Sequence, residues 1–384
     1  MTLREVPFGR PIIGDEEKKA VMAVLDTPVL THGPRVKEFE KLFAEFTGAP
    51  HAIATGSCTA SLHLAYLGKE LGPGDEVIVP AQTHTATGHA VEYTGAKAVF
   101  CDVDRTTGNI NIDQIESLIT ENTRAISVVH FLGVPVYMPK VMEIAEKHDL
   151  FVVEDCALAV GTMLEGKHVG LFGECGTFSF YPIKHITTGE GGMTITRKDD
   201  LAASTSMLRA FGIDKNVVTE RKVPGMYSVE KLGFNYRLNE MGAAIGCKQM
   251  DRLPDILKKR KDNFTTLSGL LAELDELYVL GTEPFEGENS YYALAAVLKE
   301  GTWERRFEIV EELKAKGVGT STYYPSPVPI MPYYKNKYGY TEDTFPGACE
   351  ISYRSITLPV GPHVDEEDMQ YIVECLKEAI QNTK

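Results

Sequence analysis

No two of the seven cysteines stand in C-x-x-C spacing, their number is odd, and they are scattered from Cys58 to Cys375. That pattern excludes a disulfide framework and a cysteine zinc site, and it fits a reducing compartment. Clusters of lysine and arginine are also missing, and the net charge is −15. A nucleic-acid or anionic-membrane partner is therefore not expected, because phosphate contacts need concentrated positive charge. No segment reaches the roughly 18 uninterrupted apolar residues of a membrane span. The opening MTLREVPFGRPIIGDEEKK has neither the basic start nor the apolar run of a signal peptide, so a cytoplasmic location is expected. Neither TGSCTA nor TGEGGM supplies G-x-G-x-x-G between a strand and its helix, which disfavours a dinucleotide enzyme. The histidines, His84, His89, His130, His148, His168 and His185 among them, lack H-E-x-x-H spacing or carboxylate support, and no metal is expected.

What the chain does carry is an alternation of short apolar runs and helical patterns over 384 residues, enough for two domains. The β-branched runs at 75–81, 96–103, 123–131 and 149–157 suit strands buried on both faces. The segments at 112–119 and 138–149 have helix-period apolar positions, so parallel strands with helical crossovers follow. Composition changes near Arg252, where a helical stretch leads into a mixed region of short strands. The expected division is a large domain over 1–250, N-terminal arm included, and a smaller C-terminal domain over 251–384.

In an open parallel sheet, ligands sit at the carboxyl ends of the strands. Glu154 and Asp155 fall at such an end, although Asp155 could equally be a turn or N-cap residue. The stretch TGSCTASLHLAYL (55–67) opens an apolar helix with small polar residues, where free backbone amides favour a phosphate. Lys184 stands in FSFYPIKHITTGEGGM (178–193), between aromatics and glycines. Alone, such a lysine is an ordinary snorkelling side chain. An amine, a phosphate cradle and an aspartate at a strand end are together the parts of a pyridoxal 5′-phosphate (PLP) site. The lysine bonds the cofactor, the amides hold its phosphate, and the aspartate keeps its pyridine nitrogen protonated.

Five stretches in order resemble the DegT-type (DegT/StrS group) sugar aminotransferases: VLTHGPRVKEFEKLFAEFTG, GPGDEVIVPAQTHTAT, FVVEDCALAVG, GTFSFYPIKHITTGEGGMTIT and GFNYRLNEMGAAIGCKQMDRL. The resemblance covers nearly the whole chain. It implies the aspartate-aminotransferase fold (fold type I), an α/β large domain with a mostly parallel sheet flanked by helices plus a smaller α+β domain. It also implies a homodimer with shared active sites. Carried over by position, Lys184 is the lysine that bonds PLP and moves the proton, and Asp155 pairs with the pyridinium. His84 falls where the family places an aromatic ring on the cofactor face. Cys58 and Thr59 match the pair whose amides grip the phosphate, Ser179 adds a hydroxyl, and Asn235 reaches the phosphate from the partner chain. Arg237 is either structural or meets an acidic group of the substrate.

Three positions depart from the family. Leu158 replaces a polar residue that helps to fix the cofactor ring, while Phe211 and Pro329 stand where many relatives carry histidine. The resemblance implies amino transfer from an amino acid, L-glutamate, to a keto-sugar, for a cell-surface polysaccharide, lipopolysaccharide or secondary metabolite. A 4-keto-6-deoxy nucleotide sugar is the expected acceptor. An 8-oxo octulosonate and a 3-keto nucleotide sugar are alternatives, given Phe211 and Pro329. A dehydratase using pyridoxamine phosphate carries histidine in place of the lysine, so Lys184 counts against it, and an intact Lys184 and Asp155 count against a non-catalytic regulator.

Overall fold

The computed structural model describes residues 4–213, 227–282 and 284–383. Two helices, α1 (Asp15–Leu25) and α2 (Pro34–Thr47), precede the alternating part. There follow β1 (His51–Thr55), α3 (Cys58–Gly68), β2 (Glu76–Pro80), α4 (Thr85–Glu92), β3 (Lys97–Cys101) and α5 (Ile112–Ile115). Then come β4 (Thr123–Val129), α6 (Met138–Lys147), β5 (Phe151–Asp155), the short β6 (Met163–Leu164) and β7 (Lys167–His168), β8 (Cys175–Ser179), β9 (Gly192–Thr196) and α7 (Asp199–Leu208).

Seven of these strands form one sheet in the order β1-β9-β8-β5-β4-β2-β3. Its neighbours are parallel except β9, which runs antiparallel to both β1 and β8. The mostly parallel α/β sheet expected from the sequence is thus present. In β2, Val77 and Val79 enter one hydrophobic cluster and Ile78 the other, as the two-residue period of a strand covered on both faces requires. The helical expectation for 112–119 shortens to four α-helical residues followed by a 3-10 turn over Glu116–Leu118.

Helix α2 secures one edge of the site. Pro34 opens it and Gly48, at φ +74°, ends it. Its Phe39 and Phe43 are fully buried against Phe180 and Phe178, 5.0 and 4.9 Å between ring centroids, which fixes β8. The free amides of its first turn are satisfied from far along the chain, since the buried Glu240 carboxylate accepts from Gly33, Arg35 and Val36.

Glu240 begins a 32-residue helix, Glu240–Leu271, with Pro254 in its interior. The sequence reading starts this helix near Arg252. In the structure it begins twelve residues earlier and crosses residue 251 without interruption. Its Ala243, Cys247, Met250 and Leu253 pack in the first sheet cluster, whereas Phe264, Leu267 and Leu271 belong to a third. That third cluster lies on a sheet of β10 (Leu277–Val279), β12 (Leu294–Leu298) and β13 (Ser355–Leu358), in that order, and includes helices Arg306–Ala315 and Glu366–Asn382. Strand β11 (Gly287–Glu288) pairs instead with β6. Val6 also joins the third cluster, exchanging backbone hydrogen bonds with Gly317 and Gly319.

Candidate active site

The carboxyl ends of β2, β4, β5 and β8 open on a cavity of about 590 Å³. Six of the seven residues singled out in the sequence line it: Cys58, Thr59, His84, Asp155, Ser179 and Lys184. Asn235 does not. It is exposed, on the segment before Glu240–Leu271, and its Oδ1 accepts from Arg237 Nε at 2.9 Å.

One end of the cavity is the start of α3. Ser57 caps that helix by accepting from Ala60 N, which leaves earlier amides directed outward. Gly192 on β9 passes so close that an added Cβ would lie 2.4 Å from the Ser57 carbonyl carbon and 2.6 Å from Cys58 N. Only a residue without a side chain lets strand and helix start meet there.

Asp155 ends β5 and is 4 % exposed. Its Oδ2 accepts from Thr87 Oγ1 at 2.8 Å and its Oδ1 from Ala157 N at 3.0 Å, with Cys58 Sγ 3.9 Å away. The neighbouring Glu154 faces the other way and is fully buried. It accepts from His130 Nε2 and from the amides of Gly170, Phe172 and Gly173. Burial pushes its carboxyl upward, but His130 and the amides outweigh that and hold it below the usual value. His130, Glu154 and Cys156 stand close enough to resemble a metal site. However, both Glu154 oxygens are occupied by donors, and His130 Nδ1 accepts from Val136 N, so Nε2 carries the proton given to Glu154. The cluster is a closed hydrogen-bond network that supports the strand end.

Lys184 lies half-buried, its amine 5.0 Å from the centroid of the Tyr292 ring, without a hydrogen-bonded or ion-paired partner among the described residues. Burial brings that amine down from 10.5 to about 8, against the opposite pull of Cys58 and Asp155. His84 caps α4 through Nδ1, which accepts from Ala86 N. Its ring meets Tyr324 edge-on at 5.5 Å. Desolvation, then the nearby Lys184, lowers its pKa and favours the neutral ring.

Sequence reasoning missed the far wall of the cavity, formed by Tyr292, Ser321, Thr322, Tyr323 and Tyr324. Tyr292 and Tyr323 join hydroxyls at 2.7 Å, and Gln82 Nε2 donates to the Tyr323 carbonyl. The aromatic–proline run TYYPSPVP (322–329) was the signal available. Leu158 lines the cavity as an apolar wall. Pro329 is buried in a 3-10 turn anchored by Val328 N on Ala81 O. Phe211 is 44 % exposed at φ 66°, with Arg237 stacked 4.9 Å above its ring.

A lone amine, a buried carboxylate and an amide-rich helix start around one cavity are the donor set that PLP demands, and the chain is a PLP-dependent sugar aminotransferase. The sequence profile of the DegT/DnrJ/EryC1/StrS aminotransferase family matches residues 11–377, and the chain belongs to that family. It is 35% identical to the spore coat polysaccharide biosynthesis protein SpsC of Bacillus subtilis, over 98% of this chain and 97% of that protein. It is also 35% identical to a GDP-perosamine synthase of Caulobacter vibrioides, over 98% and 99%. Among solved structures, Spr1654 of Streptococcus pneumoniae in its PMP form superposes with a TM-score of 0.93 at 27% identity, covering 99% of this chain and 100% of that one. Helicobacter pylori PseC, an aminotransferase in pseudoaminic acid biosynthesis, gives 0.92 at 27%, with the same coverage.

Proposed function

We propose that the chain moves the amino group of L-glutamate to the carbonyl of a 4-keto-6-deoxy nucleotide sugar, as a homodimer whose sites are completed across the interface. The observation that carries the reading is the placement of the Lys184 amine, unpartnered among the described residues, in one cavity with Asp155 and the start of α3. PLP, when bound, supplies the electron sink that makes the donor's α-proton removable and stores its nitrogen as an amine. Cys58, Thr59 and Ser179 would hold the phosphate, with Asp155 serving the pyridine nitrogen and His84 a ring face. Lys184 would be the group that accepts the proton of the donor's α-carbon and holds it for return. Residues 1–250 form the cofactor-bearing unit and 251–384 the smaller one.

The acceptor wall supports a neutral hydroxylated ring. It offers the hydroxyls of Ser321, Thr322, Tyr323 and Tyr324 with Glu190 at the mouth, and Lys184 is the one cation among the described residues lining the cavity. At the sugar end, the carboxylate of an octulosonate would find no second cation among the described residues lining the cavity. The GDP-perosamine synthases among the relatives support a nucleotide-linked acceptor. Asn235, exposed and outside its own cavity, suits a contact made to another subunit.

The test is a panel of keto-sugars, nucleotide-linked and free, with glutamate and PLP, read as amino-sugar mass. Release of 2-oxoglutarate before any sugar is added, and amination of a 4-keto nucleotide sugar, are expected. Removal of a sugar hydroxyl with no keto acid released from any amino acid would overturn the reading.

A further inference from the structure

A buried threonine on a helix ordinarily turns its hydroxyl back to a carbonyl one turn earlier. Thr47 does so here, donating to Phe43 O at 2.8 Å. Thr87 does not. Fully buried in α4, it sends its hydroxyl to Asp155 Oδ2 on a strand 68 residues away, at 2.8 Å. The 1 % exposed Thr83, just after β2, places its own hydroxyl 2.7 Å from that of Thr87.

A hydroxyl carries a single hydrogen, and an ionised carboxylate only accepts. The Thr87 hydrogen therefore points at Asp155, and the Thr83 hydrogen must point at Thr87. The result is a directed chain, Thr83 to Thr87 to Asp155, in which each donor polarises the next. Ala157 N holds the other carboxylate oxygen. With Thr87 on one oxygen, and Ala157 N and the more distant Cys58 Sγ on the other, the carboxylate is fixed in rotation.

We propose that Thr87 is a positioning residue for Asp155, and that the Thr83–Thr87 chain keeps the proton shared between Asp155 and the pyridine nitrogen of PLP on the nitrogen. The proposal rests on the assignment of Asp155 as the partner of that nitrogen. A carboxylate that receives donors is the better anion, and a better anion leaves the proton on its neighbour. Removing a hydrogen bond to a charged group moves such an equilibrium about tenfold to a hundredfold. Nothing in this role requires Thr87 to touch cofactor or substrate. Thr83 lines the cavity and Thr87 does not, so loss of the Thr87 hydroxyl should act on the electronic state of the bound ring through Asp155 while Lys184 still bonds it.

The experiment uses the holoenzyme with ring-¹⁵N-labelled PLP. Thr87→Val should shift the nitrogen resonance toward the unprotonated form and raise the pH midpoint of the visible absorption band by about one to two units. Thr87→Ser should restore both, and Thr83→Val should give a smaller shift in the same direction. A folded Thr87→Val protein with unchanged resonance and midpoint overturns the proposal, as does a Thr83→Val shift exceeding that of Thr87→Val. Should the valine variants not fold, neutron diffraction from deuterated wild-type crystals decides, because a Thr87 deuterium directed at Thr83 reverses the chain and sinks it. Borohydride reduction followed by peptide mass mapping is run alongside. Cofactor mass on a lysine other than Lys184 removes the functional reading itself, whereas Lys184 labelled with a silent Thr87→Val removes this inference alone.

Discussion

An amine near 8 in the folded chain makes folding itself depend on pH in a way that one substitution can isolate. The unfolded lysine keeps its proton up to 10.5, while folded Lys184 gives it up near 8. Between those values the unfolded state binds one more proton than the native state, so stability rises with pH. Below about pH 8 the amine is charged in both states, and the full cost of burying it is present. The gap of about 2.5 units corresponds to roughly 3 kcal/mol at most, and about 2 kcal/mol of it is recovered between about pH 7 and pH 9.5. The assay is urea unfolding of cofactor-free protein, followed by circular dichroism, for the wild type and Lys184→Met across that range. Packing differences between the two chains shift one curve against the other by a constant, and all other titrating groups are common to both. The difference in unfolding free energy should therefore change by about 2 kcal/mol in favour of the wild type as pH rises. Parallel pH dependences would refute the reasoning, since they would mean that the amine is solvated in the absence of cofactor.

Glu154→Gln should destabilise the protein by about 3 kcal/mol or more, read as a thermal shift at neutral pH. The amide nitrogen would have to face either His130 and Gly170 N or Phe172 N and Gly173 N, all of them donors in a fully buried site. Asn235→Ala should weaken retention of PLP, and mixing it with Lys184→Ala should regenerate activity in those sites that combine both wild-type residues; mixed dimers without recovered activity would count against a shared site.

The strands were legible because buried parallel strands must be apolar throughout, and the runs at 75–81, 96–103, 123–131 and 149–157 contain β2, β3, β4 and β5. The start of the long helix was not, because AAIGCKQM, with its small residues and buried Gly246 against Phe39, looks like a loop until its packing partner is known. Lys184 and Asp155 stood out only in combination with the start of α3, since alone the lysine reads as a surface side chain and the aspartate as a turn or N-cap residue. Tyr292, Tyr323 and Tyr324 were hidden for a different reason. They approach the cavity from more than 100 residues beyond Lys184, and a tyrosine in a mixed region carries no local mark of what it will face. Thr83 and Thr87 lay inside a quoted motif, yet only the direction of their hydroxyls distinguishes them from ordinary core threonines.

The helix Glu240–Leu271 works as a tie-rod between the two sheets. At 1.5 Å per residue its 32 residues span about 48 Å, from the segment bearing Asn235 and Arg237 to the sheet of β10, β12 and β13. Pro254 supplies no N–H to the carbonyl of Met250, so one rung of the rod is missing. That gap falls inside the part seated on the large sheet, since Ile256 and Leu257 beyond it still pack in the first cluster and the helix joins the third only at Phe264. The missing rung is thus braced on both sides by one hydrophobic cluster. The end of the rod next to the segment bearing Asn235 is clamped by Glu240 to the first turn of α2, so the two sheets and that segment are held by one element.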